Sequence, residues 1–307
     1  MISFNNSRII VDLMGGLGNQ LFQFAAGSVL SDKLGGELVL NLQSIKYTHD
    51  KVGITELVPK QLKIIQNKND FVNKLYSKVS SKGINLQRFK YYNRNYHTYI
   101  EDSHVKKPSE VLNLKEDKIR LKGYFQSYLI VTEFKKLNLL NFQSANPEIL
   151  LLIEKIKNES PVVLHIRRGD YLNLSQSYGL LDIEYYENAY EICRVSTKDK
   201  ILVFTDSESL VSDEFSDSLL NKNVEIVKVN EKIPAWHYMV AMSYANKLVN
   251  SNSTFSWWSS AISNASHIIA PEHFYRSESF APRNNSEILY PHWEKLQPKW
   301  STKYDRL

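Results

Sequence analysis

Short apolar runs that each end in a polar or glycine-rich loop are the feature that most constrains the fold of this 307-residue chain. The clearest runs are residues 9–13, 162–166, 201–204 and 247–249, and the loops behind them read GGLGNQ, RRGDY, TDS and NSNSTFS. A run of this length between turn signals indicates a buried strand, and the intervening segments have helical spacing. The alternation therefore predicts an α/β fold with parallel sheets.

The amino terminus shows the smallest complete unit of such a fold. A strand at 9–13 leads into the glycine loop, and apolar residues then recur at helical spacing up to Leu34. Gly35 and Gly36 end that helix, and residues 37–42 resume as a strand. Strand, loop, helix and strand in this order predict a right-handed βαβ crossover.

The carboxy-terminal half repeats the alternation more regularly. Strands are predicted at 162–166, 201–204, 224–229, 247–249 and 267–270. Helices are predicted after the cap Asp182, after Pro234 and over 257–263. We therefore expect two Rossmann-like, doubly wound domains, 1–158 and 159–307, with the boundary near 158–161.

The region between these halves has weaker patterning. Residues 43–118 are rich in Lys, Asn and Tyr, and order returns with a strand-like run at 119–126 and a helix-like run at 148–157. Residues 88–94, RFKYYNR, are both basic and aromatic. We favour a solvated or acceptor-side surface there over a nucleic-acid patch, although a basic, non-catalytic nucleic-acid-binding protein is a rival hypothesis.

Composition excludes several classes of protein. Hydrophobic residues at 43% and charged residues at 23% are typical of a soluble globular chain, and the net charge is only +5. The single cysteine, Cys193, excludes an intramolecular disulfide and is expected in the core. Asp12 and Asn19 interrupt the only apolar stretch near the start, so neither a secretion signal nor a membrane span is expected. These features predict a cytoplasmic protein.

Two adjacent arginines, Arg167 and Arg168, follow the strand at 162–166. Guanidinium groups stay charged in proteins, and their fork geometry matches phosphate oxygens. Successive side chains of an extended segment point in opposite directions, so the two are expected to do different work. One can face a ligand while the other pairs with a carboxylate such as Asp170; a purely structural arginine–aspartate pair is the alternative.

A second candidate anion site lies in NSNSTFS, where Ser253, Thr254 and Ser256 open a helix. The backbone N–H groups of a helix amino terminus attract anions. Taken alone, the segment is an ordinary Ser/Thr cap. Together with the arginine pair it predicts a pocket for a diphosphate.

The glycine-rich loop departs from the fingerprint of dinucleotide-binding proteins, so binding of NAD is disfavoured. A G-x-G-x-x-G fingerprint needs glycine where Leu21 stands. Gly16 and Gly18 still allow the backbone to approach a ligand, with Asn19 and Gln20 as polar tips. No Asp-x-Asp pair or His/Cys cluster occurs, so no metal is expected, and Asp206 is better suited to a base or ribose contact.

Three segments together resemble the α-1,2-fucosyltransferases of glycosyltransferase family 11. They are GGLGNQLFQFA at 15–25, HIRRGDY at 165–171 and NSTFSWWSSA at 252–261. GYFQS at 123–127 and FTDS at 204–207 resemble further motifs of that family. The match is to the compact bacterial form.

The resemblance implies a GT-B-like fold in which two domains face a cleft, with the acceptor on the first domain and the donor on the second. It implies transfer of fucose from GDP-β-L-fucose to a galactose hydroxyl, with inversion and without an essential metal. A different nucleotide sugar or linkage on the same scaffold is the alternative. The acceptor stays open among a free oligosaccharide, a lipid-linked glycan and a polysaccharide intermediate such as O-antigen, with at most peripheral membrane contact.

The resemblance also assigns roles to residues. Arg167 corresponds to an arginine that neutralises the donor β-phosphate, and Asn19 to a residue near the fucose and acceptor across the cleft. Asp170 is a weak candidate base that can instead orient an arginine. The remaining donor contacts implied by the resemblance or by loop position are His165, Arg168, Asp206, Ser253, Thr254, Phe255, Ser256, Gly16, Gly18 and Gln20.

Overall fold

A computed structural model describes most of the chain, and the chain divides into two compact units, Met1–Leu140 and Asn141–Leu307. The described residues are 7–42, 45, 53–65, 96–101, 107–196, 199–216, 218, 224–277 and 285–305. The basic and aromatic segment 88–94, with most of 43–118, lies outside these ranges, so the surface predicted there stays a prediction.

The first unit is built on a five-stranded sheet in which every neighbouring pair is parallel. Its strands are β1 Arg8–Asp12, β2 Glu37–Asn41, β3 Lys63–Ile65, β4 His97–Ile100 and β5 Lys118–Lys122, and its helices are α1 Leu17–Leu34 and α2 Tyr128–Lys136. The strand order is β3-β2-β1-β5-β4. The described part of the unit also contains the 3-10 turns Ile54–Glu56 and Pro108–Asn113.

The second unit has a six-stranded sheet, again parallel throughout. Its strands are β6 Val162–Ile166, β7 Ile201–Thr205, β8 Val224–Ile226, β9 Lys247–Val249, β10 His267–Pro271 and β11 Glu294–Leu296. Its helices are α3 Pro147–Glu159, α4 Ile183–Cys193, α5 Glu208–Ser216, α6 Ala235–Met242 and α7 Thr254–Ala261, with 3-10 turns at Gly169–Leu174 and Asn285–Glu287.

The strand order of this second sheet is β8-β7-β6-β9-β10-β11. That is the order 3-2-1-4-5-6 of Rossmann sheets, whose chain reverses direction across the sheet between the first and fourth strands. Here the reversal lies between β6 and β9, and in the first unit the corresponding place lies between β1 and β5. Ligands of open α/β sheets bind beyond the carboxyl ends of the strands at such a switch point. The α/β class and the two Rossmann-like units predicted from the sequence are confirmed.

The division between the units differs from the expected boundary near 158–161, because α3 belongs to the second unit. Ile149, Ile153 and Ile156 form its buried face, and the helix packs against α6. Its Ncap Asn146 accepts a hydrogen bond from the N–H of Ile149.

Two further expectations about element ends are corrected. β5 ends at Lys122 rather than 126, because Gly123 and Phe125 have φ angles of 151° and 54°, which a strand does not accommodate. α7 begins at Thr254 rather than 257, because the Ser253 side chain caps it by accepting the N–H of Phe255.

Candidate active site

Arg167 is the partly exposed cation at the switch point of the second sheet. It follows β6 directly, and its side chain is 30% exposed. One guanidinium nitrogen pairs with Asp170, and Nη1 lies 2.6 Å from Oδ2 of Asp206. The guanidinium carbon also lies 5.3 Å from the centre of the Tyr171 ring. Two carboxylates and an aromatic face therefore hold a charge that solvent, and hence a ligand, can still reach.

Arg168 is buried instead, with 1% of its side chain exposed. Its Nε lies 3.1 Å from Oε1 of Glu214 and its Nη2 lies 2.8 Å from Oε2, which is a side-on bidentate pair. Nη1 donates to the carbonyl of Arg167, and Nη2 donates to that of Leu181. All three guanidinium nitrogens are therefore engaged inside the protein, where Arg168 holds the loop; a contact of Arg168 with the donor stays a prediction.

Asp206 connects the two arginines. Its Oδ1 accepts the backbone N–H of Arg168 at 2.9 Å, while Oδ2 faces Arg167. The backbone of Gly169 lies so close to the Asp206 carboxylate that a Cβ on residue 169 would be 2.3 Å from Oδ2. The φ angle of Gly169 is +22°. The glycine of the RRGD segment is therefore required by a carboxylate rather than by a ligand. Asp206 serves here to orient Arg167, and a contact of Asp206 with base or ribose stays a prediction.

His165 lies beneath this loop on β6. Its Nδ1 is 2.7 Å from the Ser251 hydroxyl, and its ring lies 5.6 Å from that of Phe255. Burial, and to a smaller extent the positive charge of Arg167, lower the pKa of His165 to about 3. The imidazole is therefore neutral at physiological pH, and it links the end of β6 to the segment after β9.

The amino terminus of α7 lies in that segment. Ser253 caps the helix, and the buried Ser256 hydroxyl donates to the carbonyl of Ser253. Thr254 and Phe255 are partly exposed, so the first turn of the helix is reachable from solvent. Asn252 is buried and donates to the carbonyls of Tyr178, Gly179 and Phe274. The serines are thus cap residues, and the exposed helix terminus carries positive partial charge.

Tyr171 ties Arg167 to this terminus. Its hydroxyl donates to the carbonyl of Asn252 at 3.2 Å, and its ring lies against Tyr178, which in turn lies against Tyr275. Burial raises the pKa of Tyr171, so the hydroxyl stays protonated as a donor. The carboxyl end of β6 therefore lies near Arg167, the amino terminus of α7 and a row of three tyrosines.

The loop after β1 in the first unit is held by amides. Gln20, predicted as a ligand contact, is buried: its side-chain nitrogen donates to the carbonyl of Gly15, and its oxygen accepts the N–H groups of Gly53 and Ile54. Gln20 therefore positions the loop, and its contact with a ligand stays a prediction. Gly16 is exposed and Gly18 is buried, so only Gly16 leaves its backbone open to a ligand.

Asn19 is the partly exposed polar residue of this loop. Its Oδ1 accepts a hydrogen bond of 2.9 Å from Nε2 of Gln126, which follows β5. The two amides thus bridge the switch point of the first sheet. The expected position of Asn19 near the fucose and acceptor stays a prediction.

Three further side chains shape these loops, and the sequence analysis missed them. Glu101 accepts the backbone N–H groups of Tyr124 and Phe125 in the positive-φ turn after β5. Glu214 neutralises Arg168, and Tyr304 donates to Glu214. In the sequence, Glu214 is marked only by its position next to Phe215, an apolar residue that is buried on α5. Glu101 and Tyr304 have none, since their partners lie far away along the chain.

Comparison with known proteins places the chain in a family. Residues 118–297, more than half of the chain, match the profile described as Glycosyl transferase family 11. The chain belongs to glycosyl transferase family 11. It is 26% identical to an O-antigen biosynthesis glycosyltransferase, WbnK, of Escherichia coli, over 92% of this chain and 99% of that one. It is 23% identical to an alpha-1,2-colitosyltransferase of Escherichia coli, over 90% and 96%.

Among solved structures, the fucosyltransferase NodZ from Bradyrhizobium aligns with a TM-score of 0.48 and 15% identity, covering 84% of this chain and 92% of that one. The predicted family is therefore confirmed by sequence, and the protein is a glycosyltransferase of family 11.

Three further findings concern metal binding, membrane spans and the single cysteine. Within the described ranges no group of three or more His, Cys, Asp or Glu side chains is placed to hold a metal ion, and that transfer needs no metal stays a prediction. No helix in the described part of the chain is long and apolar enough to cross a membrane. Cys193 is buried as expected, and burial raises its pKa to about 12, which excludes a ready thiolate nucleophile.

Proposed function

We propose that this family 11 enzyme transfers L-fucose from GDP-β-L-fucose to a galactose hydroxyl of a glycan, with inversion and formation of an α-1,2 linkage. The observation that carries the proposal is Arg167, a partly exposed cation at the switch point of the second sheet. It is linked through Tyr171 to the partly exposed amino terminus of α7. An arginine and a helix terminus at one strand edge suit a diphosphate.

The proposed chemistry follows the movement of charge. The acceptor oxygen attacks C1 of fucose, and the bond from C1 to the β-phosphate oxygen breaks with its electron pair on that oxygen. Positive charge grows on the sugar ring while negative charge grows on the phosphate. Arg167 and the first turn of α7 stabilise this leaving group without a metal, because preorganised positive groups act strongly where charge develops.

The acceptor hydroxyl also loses its proton in this reaction. Asp170 is the candidate base named by the sequence, and its side chain is 63% exposed and paired with Arg167. The same pairing lets it orient the arginine instead. Replacement by Asn separates the two roles, since an orienting residue lowers turnover evenly across pH whereas a base removes the acidic limb of the pH profile.

A second donor sugar has specific support. The relative named as an alpha-1,2-colitosyltransferase covers nearly the same span of this chain as the O-antigen relative. Transfer of colitose or another deoxyhexose from a nucleotide donor is therefore the competing proposal. The relative named as an O-antigen biosynthesis glycosyltransferase favours an acceptor that is a polysaccharide precursor, free or lipid-linked.

The test begins with binding and then measures transfer. We expect GDP to raise the Tm of the protein by mass action, whereas UDP and dTDP at equal concentration do not. GDP-fucose and a donor carrying colitose are then incubated with an array of galactose-terminated glycans, and linkage analysis identifies the product.

Fucose in α-1,2 linkage to galactose supports the proposal, and preferential colitose transfer overturns it in favour of the competing donor. Steeply salt-dependent binding of polynucleotides without any response to GDP would restore the nucleic-acid hypothesis.

A further inference from the structure

The carboxy-terminal segment Lys299–Asp305 packs along the loop that follows the RRGD turn. The N–H of Asp182 donates to the carbonyl of Lys299, and the N–H of Ser301 donates to that of Leu180, both at 2.7 Å. The Trp300 ring lies so close to Gly179 that a Cβ there would be 2.5 Å away. This segment therefore fixes residues 179–182 by backbone hydrogen bonds and by packing.

Tyr304 extends the contact to the ion pair beneath the site. The residue is buried, and its hydroxyl donates to Oε1 of Glu214 at 2.9 Å. Burial, followed by the hydrogen bond to Glu214, raises the pKa of Tyr304 to about 12. The hydroxyl is therefore a hydrogen-bond donor throughout the neutral range, and it shares Oε1 of Glu214 with Nε of Arg168.

From Glu214 a continuous chain of polar contacts reaches Arg167. Glu214 binds the guanidinium of Arg168, the N–H of Arg168 donates to Asp206, and Asp206 pairs with Arg167. Each link is a hydrogen bond or ion pair between 2.6 and 3.1 Å. Arg168 and Glu214 form the buried end of this network, whereas Asp206 and Arg167 are partly exposed. Removing a hydrogen-bond donor from the buried end shifts the remaining members, since buried polar groups depend on their partners.

We infer that Tyr304 is a positioning residue that acts through Glu214, Arg168 and Asp206 to set the orientation of Arg167. The carboxy-terminal segment is in this way part of the framework of the donor site, although Tyr304 lies more than 130 residues after Arg167 in the sequence. The inference rests on the proposed function only for its effect on turnover; its structural effect needs no ligand.

The test variant is Tyr304→Phe, which keeps the ring and deletes one hydrogen bond. The matched control is Tyr190→Phe: that tyrosine is also buried, and its hydroxyl donates to the backbone carbonyl of Asp199, outside the chain of contacts. A purely structural role predicts equal effects of the two variants.

The first measurement is amide hydrogen exchange without ligand. We expect the N–H groups of Arg168 and Gly169, which donate to Asp206 and Ser207, to exchange faster in Tyr304→Phe and at the wild-type rate in Tyr190→Phe. Equal exchange in all three proteins overturns the inference. This result is obtained even where the wild type turns over no GDP-fucose, the outcome that would overturn only the proposed function.

The second measurement is turnover of GDP-fucose. We expect Tyr304→Phe to lower kcat roughly tenfold, as misplacement of a catalytic group does, with a much smaller change in the KM for the donor. Tyr190→Phe keeps the wild-type kcat. In an Arg167→Lys background the loss caused by Tyr304→Phe falls below about twofold, because the effect passes through the residue already altered. An undiminished tenfold loss in that background contradicts the inference.

Discussion

Each sheet of parallel strands has a loop at its switch point, and the two loops differ in chemistry. One presents a cation and the other a neutral amide. In the second unit the reachable side chain is Arg167, held between Asp170 and Asp206. In the first unit it is the neutral amide of Asn19, bonded to Gln126. The fold thus supplies only a location, and the side chains decide whether an anion or an uncharged hydroxyl is the better ligand.

The loops also differ in what supports them. Arg167 is supported by the buried ion pair of Arg168 with Glu214, whereas Glu101 holds the turn before Gln126 by accepting backbone N–H groups. Variants that remove each of these supports test whether the two loops depend on different interactions.

The largest effect is expected from the buried pair. Arg168→Ala leaves Glu214 without its cation in a site that is 10% exposed, and we expect the free energy of unfolding to fall by about 3–5 kcal/mol. Chemical denaturation measures this. Arg194→Ala, which removes an arginine paired with Glu191 on the surface, serves as control and should cost less than about 1 kcal/mol. Equal losses for the two variants would falsify the supporting role of Arg168.

Arg167→Ala should lower turnover rather than stability. We expect the protein to remain folded with a Tm near that of the wild type, because the side chain is partly exposed. The rate of donor turnover should fall by about 10²- to 10³-fold, the usual cost of losing one group that stabilises developing charge. Wild-type-like turnover in this variant removes Arg167 from the proposed mechanism and leaves the two loops without the contrast drawn here.

Glu101 carries the corresponding prediction for the first unit. Glu101→Ala frees the N–H groups of Tyr124 and Phe125, and we expect a loss of about 1.5–3 kcal/mol in the free energy of unfolding, typical of hydrogen bonds to a charged group. Glu101→Gln keeps one acceptor oxygen and should recover part of the loss. The KM for the acceptor should rise more than that for GDP-fucose; a change confined to donor binding contradicts the division between the loops.

At neutral pH the smallest effect is expected from His165, whose contribution changes only on acidification. Its pKa in the folded protein is about 3, below the value near 6.5 of an unfolded histidine, so the unfolded state binds the extra proton between these values. Stability is therefore full above pH 6.5 and falls as the pH drops towards 3, by up to about 1.4 kcal/mol per pH unit. Denaturation midpoints of His165→Asn should lack this component, whereas those of the exposed His267→Asn should keep it.

Much of the fold could be predicted because its signals are local. Strands β1, β6, β7 and β9 were recognisable from runs of apolar residues, and α1 from its spacing and its terminal glycines. The motif residues that carry the family resemblance were recognisable for the same reason, and among them Arg167 is partly exposed. The short β3 and β4, on the other hand, lie in the weakly patterned region and have only three and four residues.

Individual roles within the motifs were harder to predict. Two adjacent arginines look alike in a sequence, and burial alone separates Arg167 from Arg168. Gln20 read as a polar tip of the glycine loop, whereas its amide is consumed by Gly15, Gly53 and Ile54. Such assignments depend on partners that are distant along the chain, so no local pattern contains them.

The sequence by itself determined the α/β class, the family and the loops that carry the candidate site residues, because periodicity and motif spacing are properties of neighbouring residues. Only the tertiary structure decided which charges are buried in pairs and which remain exposed. Glu214 and Tyr304 reach Arg168 from an adjacent helix and from the carboxy-terminal segment, and the balance of desolvation against pairing is set by that packing.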